Sequence, residues 1–128
     1  MDKPRLLIAD DHPLFLMGIK YALSAQGFTV VAEATTGEEA LSANLRHQPD
    51  VALLDVKMPQ LDGIEACRKM MVQRPNLVVI MLTTFDEPGV MQAAKDAGAK
   101  GYVSKETPPQ ELAMLIHKII KNPGGDWF

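Results

Sequence analysis

Five times along the chain, a short apolar run gives way to a stretch with helical spacing. Leu6-Leu7-Ile8-Ala9, Val51-Ala52-Leu53-Leu54 and Val78-Val79-Ile80-Met81-Leu82 are almost wholly apolar, as strands buried on both faces must be. The pattern predicts strands at about 5–10, 28–34, 50–55, 77–83 and 100–104. Helices are predicted at about 13–26, 37–47, 61–74, 87–97 and 108–121. Phe15, Ile19, Ala22 and Leu23 share one helical face, as do Leu112, Leu115, Ile116, Ile119 and Ile120. The fourth helix has only Val90, Ala93, Ala94 and Ala97 to bury. Small side chains remove little area from water, so it is expected to be the least firmly held. Pro13 suits a first helical turn, and Gly27 and Gly98 suit helix ends. Thr36 stands three residues before Glu39, a capping-box spacing. Pro108 and Pro109 open the last helix.

Alternation of this kind implies a doubly wound α/β fold of flavodoxin-like topology, a parallel sheet with helices on both faces. Polarity orders the sheet. The second run carries Thr29 and Glu33, and the fifth is short and carries Lys100, Tyr102 and Ser104. Both read as edges. With right-handed crossovers, the order 2-1-3-4-5 follows.

That order sets four chemically distinct strand ends on one rim, where open parallel sheets bind ligands. The first run ends on Asp10-Asp11, the third on Asp55, the fourth on Thr83 and the fifth on Lys105. Any of these alone has an ordinary explanation: a helix cap, a turn residue or a solvated lysine. Four complementary groups on one rim are hard to obtain by chance. Two carboxylates at 4 Å repel by about 4 kcal/mol at an effective dielectric near 20. A hard cation relieves that repulsion, and Mg2+ uses one or two protein carboxylates with waters and phosphate oxygens. Asp10 and Asp11 suit the metal, and Asp55 suits nucleophilic attack on phosphorus. Thr83 and Lys105 suit the phosphoryl oxygens.

Length and composition narrow the picture. A chain of 128 residues, 47% hydrophobic, suits one domain with a two-sided core. The net charge of −3 and scattered basic residues argue against nucleic-acid binding by this segment. The single cysteine, Cys67, excludes an internal disulfide and reads as a core thiol suited to a reducing compartment. No stretch approaches the ~20 apolar residues of a membrane span. The opening Met1-Asp2-Lys3-Pro4 leaves no room for a signal peptide before the first strand. His12, His47 and His117 lack metal-site spacing and read as surface histidines.

With these residues in place, the chain resembles a bacterial response-regulator receiver domain, CheY-like and of the NarL/LuxR type. The likeness covers nearly the whole length. It rests on Ile8-Ala9-Asp10-Asp11-His12-Pro13, on Leu54 through Gly63, on Leu82-Thr83-Thr84 and on Gly101-Tyr102-Val103-Ser104-Lys105. The resemblance implies that Asp55 accepts a phosphoryl group from a sensor histidine kinase. Asp10, Asp11, Asp55 and the backbone carbonyl of Lys57 would hold Mg2+. Thr83 would move toward the phosphoryl group, Lys105 would pair with it, and Tyr102 would follow Thr83 inward as the switch aromatic. Such regulators are cytoplasmic and dimerise on phosphorylation. Members of this type usually read DNA through a C-terminal helix-turn-helix domain, absent from these residues. Residues 1–121 would be the receiver and 122–128 the start of a linker. Candidate dimer faces are the first and fifth helices, or the fourth helix with the fifth strand.

Two departures from the wider family stand out. Glu106 follows Lys105 where many receivers have proline, so a trans bond is expected there, a non-proline cis bond costing about 3 kcal/mol. Phe85 and Lys57 flank the site, and a phenyl group there is expected to hinder water and lengthen the life of an aspartyl phosphate. Competing readings fit less well. An aspartyl-nucleophile phosphatase wants an acid two residues after the nucleophile, where Lys57 stands. A flavodoxin-like cofactor binder wants a hydroxyl- or glycine-rich first loop, where Asp10-Asp11 would repel phosphate. A metal-free module that has lost phosphorylation is disfavoured because every site residue is present, and Mg2+ binding would separate the two readings. A stand-alone receiver acting as a phosphorylation-dependent interaction module is the alternative.

Overall fold

The computed structural model describes residues 3–84 and 89–128. Five strands alternate with five helices. They are β1 (Arg5–Ala9), α1 (Pro13–Ala25), β2 (Thr29–Ala34), α2 (Gly37–His47), β3 (Val51–Asp55), α3 (Gly63–Gln73), β4 (Val78–Thr83), α4 (Val90–Asp96), β5 (Gly101–Ser104) and α5 (Pro109–Lys121). The strands form one parallel sheet in the order 2-1-3-4-5. The polarity argument for the edges therefore holds. β3 is buried at all five positions, whereas β2 and β5 are only partly covered.

Each face of the sheet carries its own core. On one face, Leu6, Ile8, Leu53, Ile80 and Leu82 pack with Leu16, Ile19 and Leu23 of α1 and with Leu112, Ile116 and Ile119 of α5. On the other, Leu7, Leu54, Val79 and Met81 pack with Ala40 of α2, Ala66, Cys67 and Met70 of α3, and Ala94 of α4. Cys67 is fully buried, and burial pushes its thiol up to about 12, so it is a core group as expected.

The α1 seam includes Leu16, which the predicted face omits. Leu16, Ile19 and Leu23 are its buried residues, at i, i+3 and i+7. Phe15 packs, partly buried, at the margin of the same core, and its ring lies under the Lys105 ammonium, 4.4 Å from the centroid. Helix α4 has Ala94 as its only buried residue, and the start of its predicted span, 87–88, lies outside the described residues. The Thr36 hydroxyl accepts from the Glu39 amide at 3.1 Å, confirming that cap. Peptide bonds among the described residues are trans, including that between Lys105 and Glu106. Phe85 lies outside the described residues. No described helix is long and apolar enough to cross a membrane.

Candidate phosphoacceptor and metal site

The rim is assembled by strands that stop in step. Ala9 of β1 pairs with Leu54 of β3, so Asp10 and Asp55 end adjacent strands at one level. Asp55 pairs in register with Leu82, and Thr83 with Ser104. The Lys105 amide donates to the Thr83 carbonyl at 2.8 Å, which carries the ladder one residue further. Sheet register alone thus brings Asp10, Asp11, Asp55, Thr83 and Lys105 to one end.

Two glycines hold the loop after β3 against this end. A Cβ on Gly63 would fall 2.0 Å from the Asp55 carbonyl oxygen, and one on Gly37 would fall 2.1 Å from that of Leu61. Neither position has room for a methyl group. Asp62 caps α3 by accepting from the Glu65 amide at 2.9 Å. Val56 and Met58 are buried, which turns Lys57 between them outward.

Three carboxylates and one ammonium meet here. Asp10 is fully buried and Asp55 is 4% exposed. Lys105 Nζ lies 2.6 Å from Asp10 Oδ2 and 3.6 Å from Asp55 Oδ2. Asp10 Oδ2 has this ion-pair contact yet no well-aligned hydrogen bond. Burial first, and then the charge of Asp10, push the Asp55 carboxyl up from 3.8 to about 6, against the opposing pull of Lys105 and of a hydrogen bond from the Lys57 backbone. An anionic centre raised this far holds excess negative charge that a cation would relieve.

His12, read as a surface histidine, is exposed but lies against the acidic pair. His12 Nδ1 lies 3.0 Å from Asp10 Oδ1, 3.2 Å from Asp11 Oδ1 and 3.3 Å from Lys105 Nζ. Ligand atoms of Asp10, Asp11, His12 and Asp55 all fall within 4.8 Å of one another. The signal available was adjacency: the residue after the acidic pair cannot leave the rim. His47 ends α2, and His117 stacks on Phe28 at 4.5 Å, so neither joins the site. The carboxylate set fits a hard divalent ion, and an acidic cluster of Asp10, Asp11 and Asp55 is typical of the Mg2+ site of receivers.

Tyr102, the predicted switch aromatic, lies on β5 opposite Met81. Its hydroxyl is buried with no hydrogen-bond partner among the described residues. Its ring stacks on Phe128 with centroids 6.4 Å apart. A pocket lined by His12, Asp55, Val56, Lys57, Thr83, Thr84 and Val90 opens beside the acceptor carboxylate.

Comparison with known proteins agrees with this geometry. The profile of the response regulator receiver domain matches residues 6–117. A transcriptional regulatory protein of Bacillus subtilis, YxjL, itself uncharacterized, is 42% identical over 94% of this chain and 56% of its own length. The response regulator GacA of Pseudomonas aeruginosa is 35% identical over 91% of this chain and 55% of its own. The signal receiver domain of the putative response regulator NarL from Mycobacterium tuberculosis superposes with a TM-score of 0.90 at 34% identity, covering 95% of this chain and 99% of that one. The chain spans a little over half the length of the curated relatives it matches.

Proposed function

Because the chain belongs to the response regulator receiver domain family, a family of phosphoacceptor signalling modules, we propose that Asp55 is its acceptor and a sensor histidine kinase its donor. The observation that carries this reading is the raised, buried Asp55 carboxylate within reach of one ammonium and two further carboxylates. A carboxylate oxygen of Asp55 forms the new bond to phosphorus as the bond to the donor's imidazole nitrogen breaks. Lys105, already 3.6 Å from Asp55 Oδ2, moves from Asp10 toward the phosphoryl oxygens. Thr83 offers its hydroxyl from the next strand end.

Asp10, Asp11, Asp55 and the backbone carbonyl of Lys57 would hold Mg2+. When bound, the ion supplies charge neutralisation for the incoming phosphoryl oxygens. With the ion held there, Asp10 would no longer depend on Lys105 for charge compensation, and Lys105 would be free to meet the phosphoryl group. Tyr102 follows Thr83 as the pocket fills. Similarity to NarL/LuxR-type transcriptional regulators supports an output through a separate DNA-binding domain, reached through residues 122–128, with dimerisation on phosphorylation and a cytoplasmic setting.

The test is intact mass after incubation with Mg2+ and a small acyl phosphate. One added phosphoryl group is expected in the native chain and none in Asp55→Asn. Equal uptake by both chains would move the acceptor elsewhere, and no uptake by the folded native chain would overturn the reading.

A further inference from the structure

After α5 the chain turns and comes back along the outer edge of β5. The Gly125 amide donates to the Asn122 carbonyl at 3.0 Å, and the Trp127 indole N–H donates to the same oxygen at 2.7 Å, closing the turn. The Tyr102 amide, which points away from β4, donates to the Trp127 carbonyl at 3.2 Å. An edge donor that a sheet would leave to solvent or to another chain is thereby satisfied from within. Phe128 completes the contact. Its ring stacks on Tyr102 with an interplanar angle of 18°, and the Lys95 ammonium of α4 lies 5.7 Å from its centroid. Trp127 lies in ordinary contact range of Gly101, whose missing Cβ leaves room chiefly for Ile119 of α5, 2.8 Å from where it would fall.

We propose that residues 126–128 form an intramolecular latch on the β5 edge, and that phosphorylation of Asp55 opens it through Tyr102. The inference rests on the phosphoacceptor reading above. Tyr102 belongs to both ends of the device. It stands two residues before Ser104, the register partner of Thr83, and its ring is the platform for Phe128. Its hydroxyl is buried with no hydrogen-bond partner among the described residues, which is an unfavourable state for a polar group. The present ring position is therefore held by the aromatic stack rather than by the hydroxyl. When Thr83 moves toward a phosphoryl group, the ring gains room on the pocket side. A ring turned inward cannot also stack on Phe128. Losing that stack leaves the tail with one backbone hydrogen bond to β5 and the partial packing of Trp127 against the α1 and α5 core, a weaker hold against the entropy of ordering three residues. The same linkage runs backward: removing Phe128 favours the loaded state of the site.

Trp127 is the single tryptophan of the chain, so its emission reports the latch directly. Fluorescence and intact mass are followed in one sample during incubation with Mg2+ and an acyl phosphate. In the native chain, phosphoryl uptake is expected with a shift of Trp127 emission toward that of indole in water, and Asp55→Asn should show neither. Phe128→Ala should take up phosphate, begin with the shifted emission and change little on loading. Uptake with unchanged emission overturns the latch and leaves the acceptor assignment intact. Absence of uptake overturns both. Unshifted emission in unphosphorylated Phe128→Ala would show that Phe128 does not hold the tail, and would also overturn the latch.

Discussion

The core between the sheet and helices α1 and α5 and the carboxylate rim are both buried, but they bear on stability with opposite signs. In the core, Leu6, Ile8, Leu53, Ile80, Leu112, Ile116 and Ile119 are at most 2% exposed, and each removes apolar area from water. At the rim, Asp10 and Asp55 are buried as well, yet the charge of Asp55 opposes folding: its carboxyl is held at about 6 rather than 3.8. Packing is spent in one region so that an unfavourable charge arrangement can persist in the other.

Core truncation should have the largest effect. Ile116→Ala is expected to cost about 2–5 kcal/mol in denaturant unfolding; a loss under 1 kcal/mol would mean that the α5 seam collapses around the cavity. Asp55→Asn should go the other way. A carboxyl whose pKa is raised on folding contributes stability that is full below about pH 3.8 and lost as pH rises through about 6. Without divalent ions, the variant should therefore be more stable than the native chain by about 2–3 kcal/mol at pH 8, with the difference closing near pH 3.5. A destabilised variant at pH 8 would erase the contrast between the two regions.

Smaller effects sharpen it. Asp62→Ala removes the cap of α3 beside the site and should cost about 1 kcal/mol. It would show that hydrogen bonds at the rim stabilise even where its charges do not. Native-state amide exchange should be faster in α4 than in α5, because Ala94 alone is buried in α4 while Leu112, Ala113, Ile116 and Ile119 are buried in α5. Equal protection would show that α4 is held by something other than its packed face.

Fold and site were not equally legible in the sequence. Strand order could be read because edge position leaves a chemical trace: Thr29 and Glu33 are tolerated only where one side of a strand meets solvent. The thin face of α4 was legible for the same reason. The α1 seam was read without Leu16 because Phe15 and Leu16 are adjacent and both apolar, and periodicity cannot rank their burial. Phe15 packs at the margin of the core and also meets the Lys105 ammonium, a contact across 90 residues that no local pattern encodes. His12 is exposed, as read from the sequence, but its closeness to both acidic neighbours follows from adjacency to the rim rather than from any spacing between histidines. The tail shows the same limit. Asn122-Pro123-Gly124-Gly125 is turn chemistry, and only the location of Tyr102 on an edge strand tells where Trp127 and Phe128 go.

Gly37 and Gly63 give the pocket a mechanical asymmetry. Each meets a backbone carbonyl so closely that a single added carbon would collide with it, so the segment from Val56 to Asp62 is clamped at both ends, between α2 on one side and the acceptor strand on the other. It is the fixed jaw of a vice. On the proposed phosphoacceptor reading, a phosphoryl group seated against that jaw would not push it aside, and displacement would be delivered to the opposite wall, through Thr83, Lys105 and the β5 edge. Direction would then be built into the domain before any signal arrives, with two missing methyl groups setting which side moves.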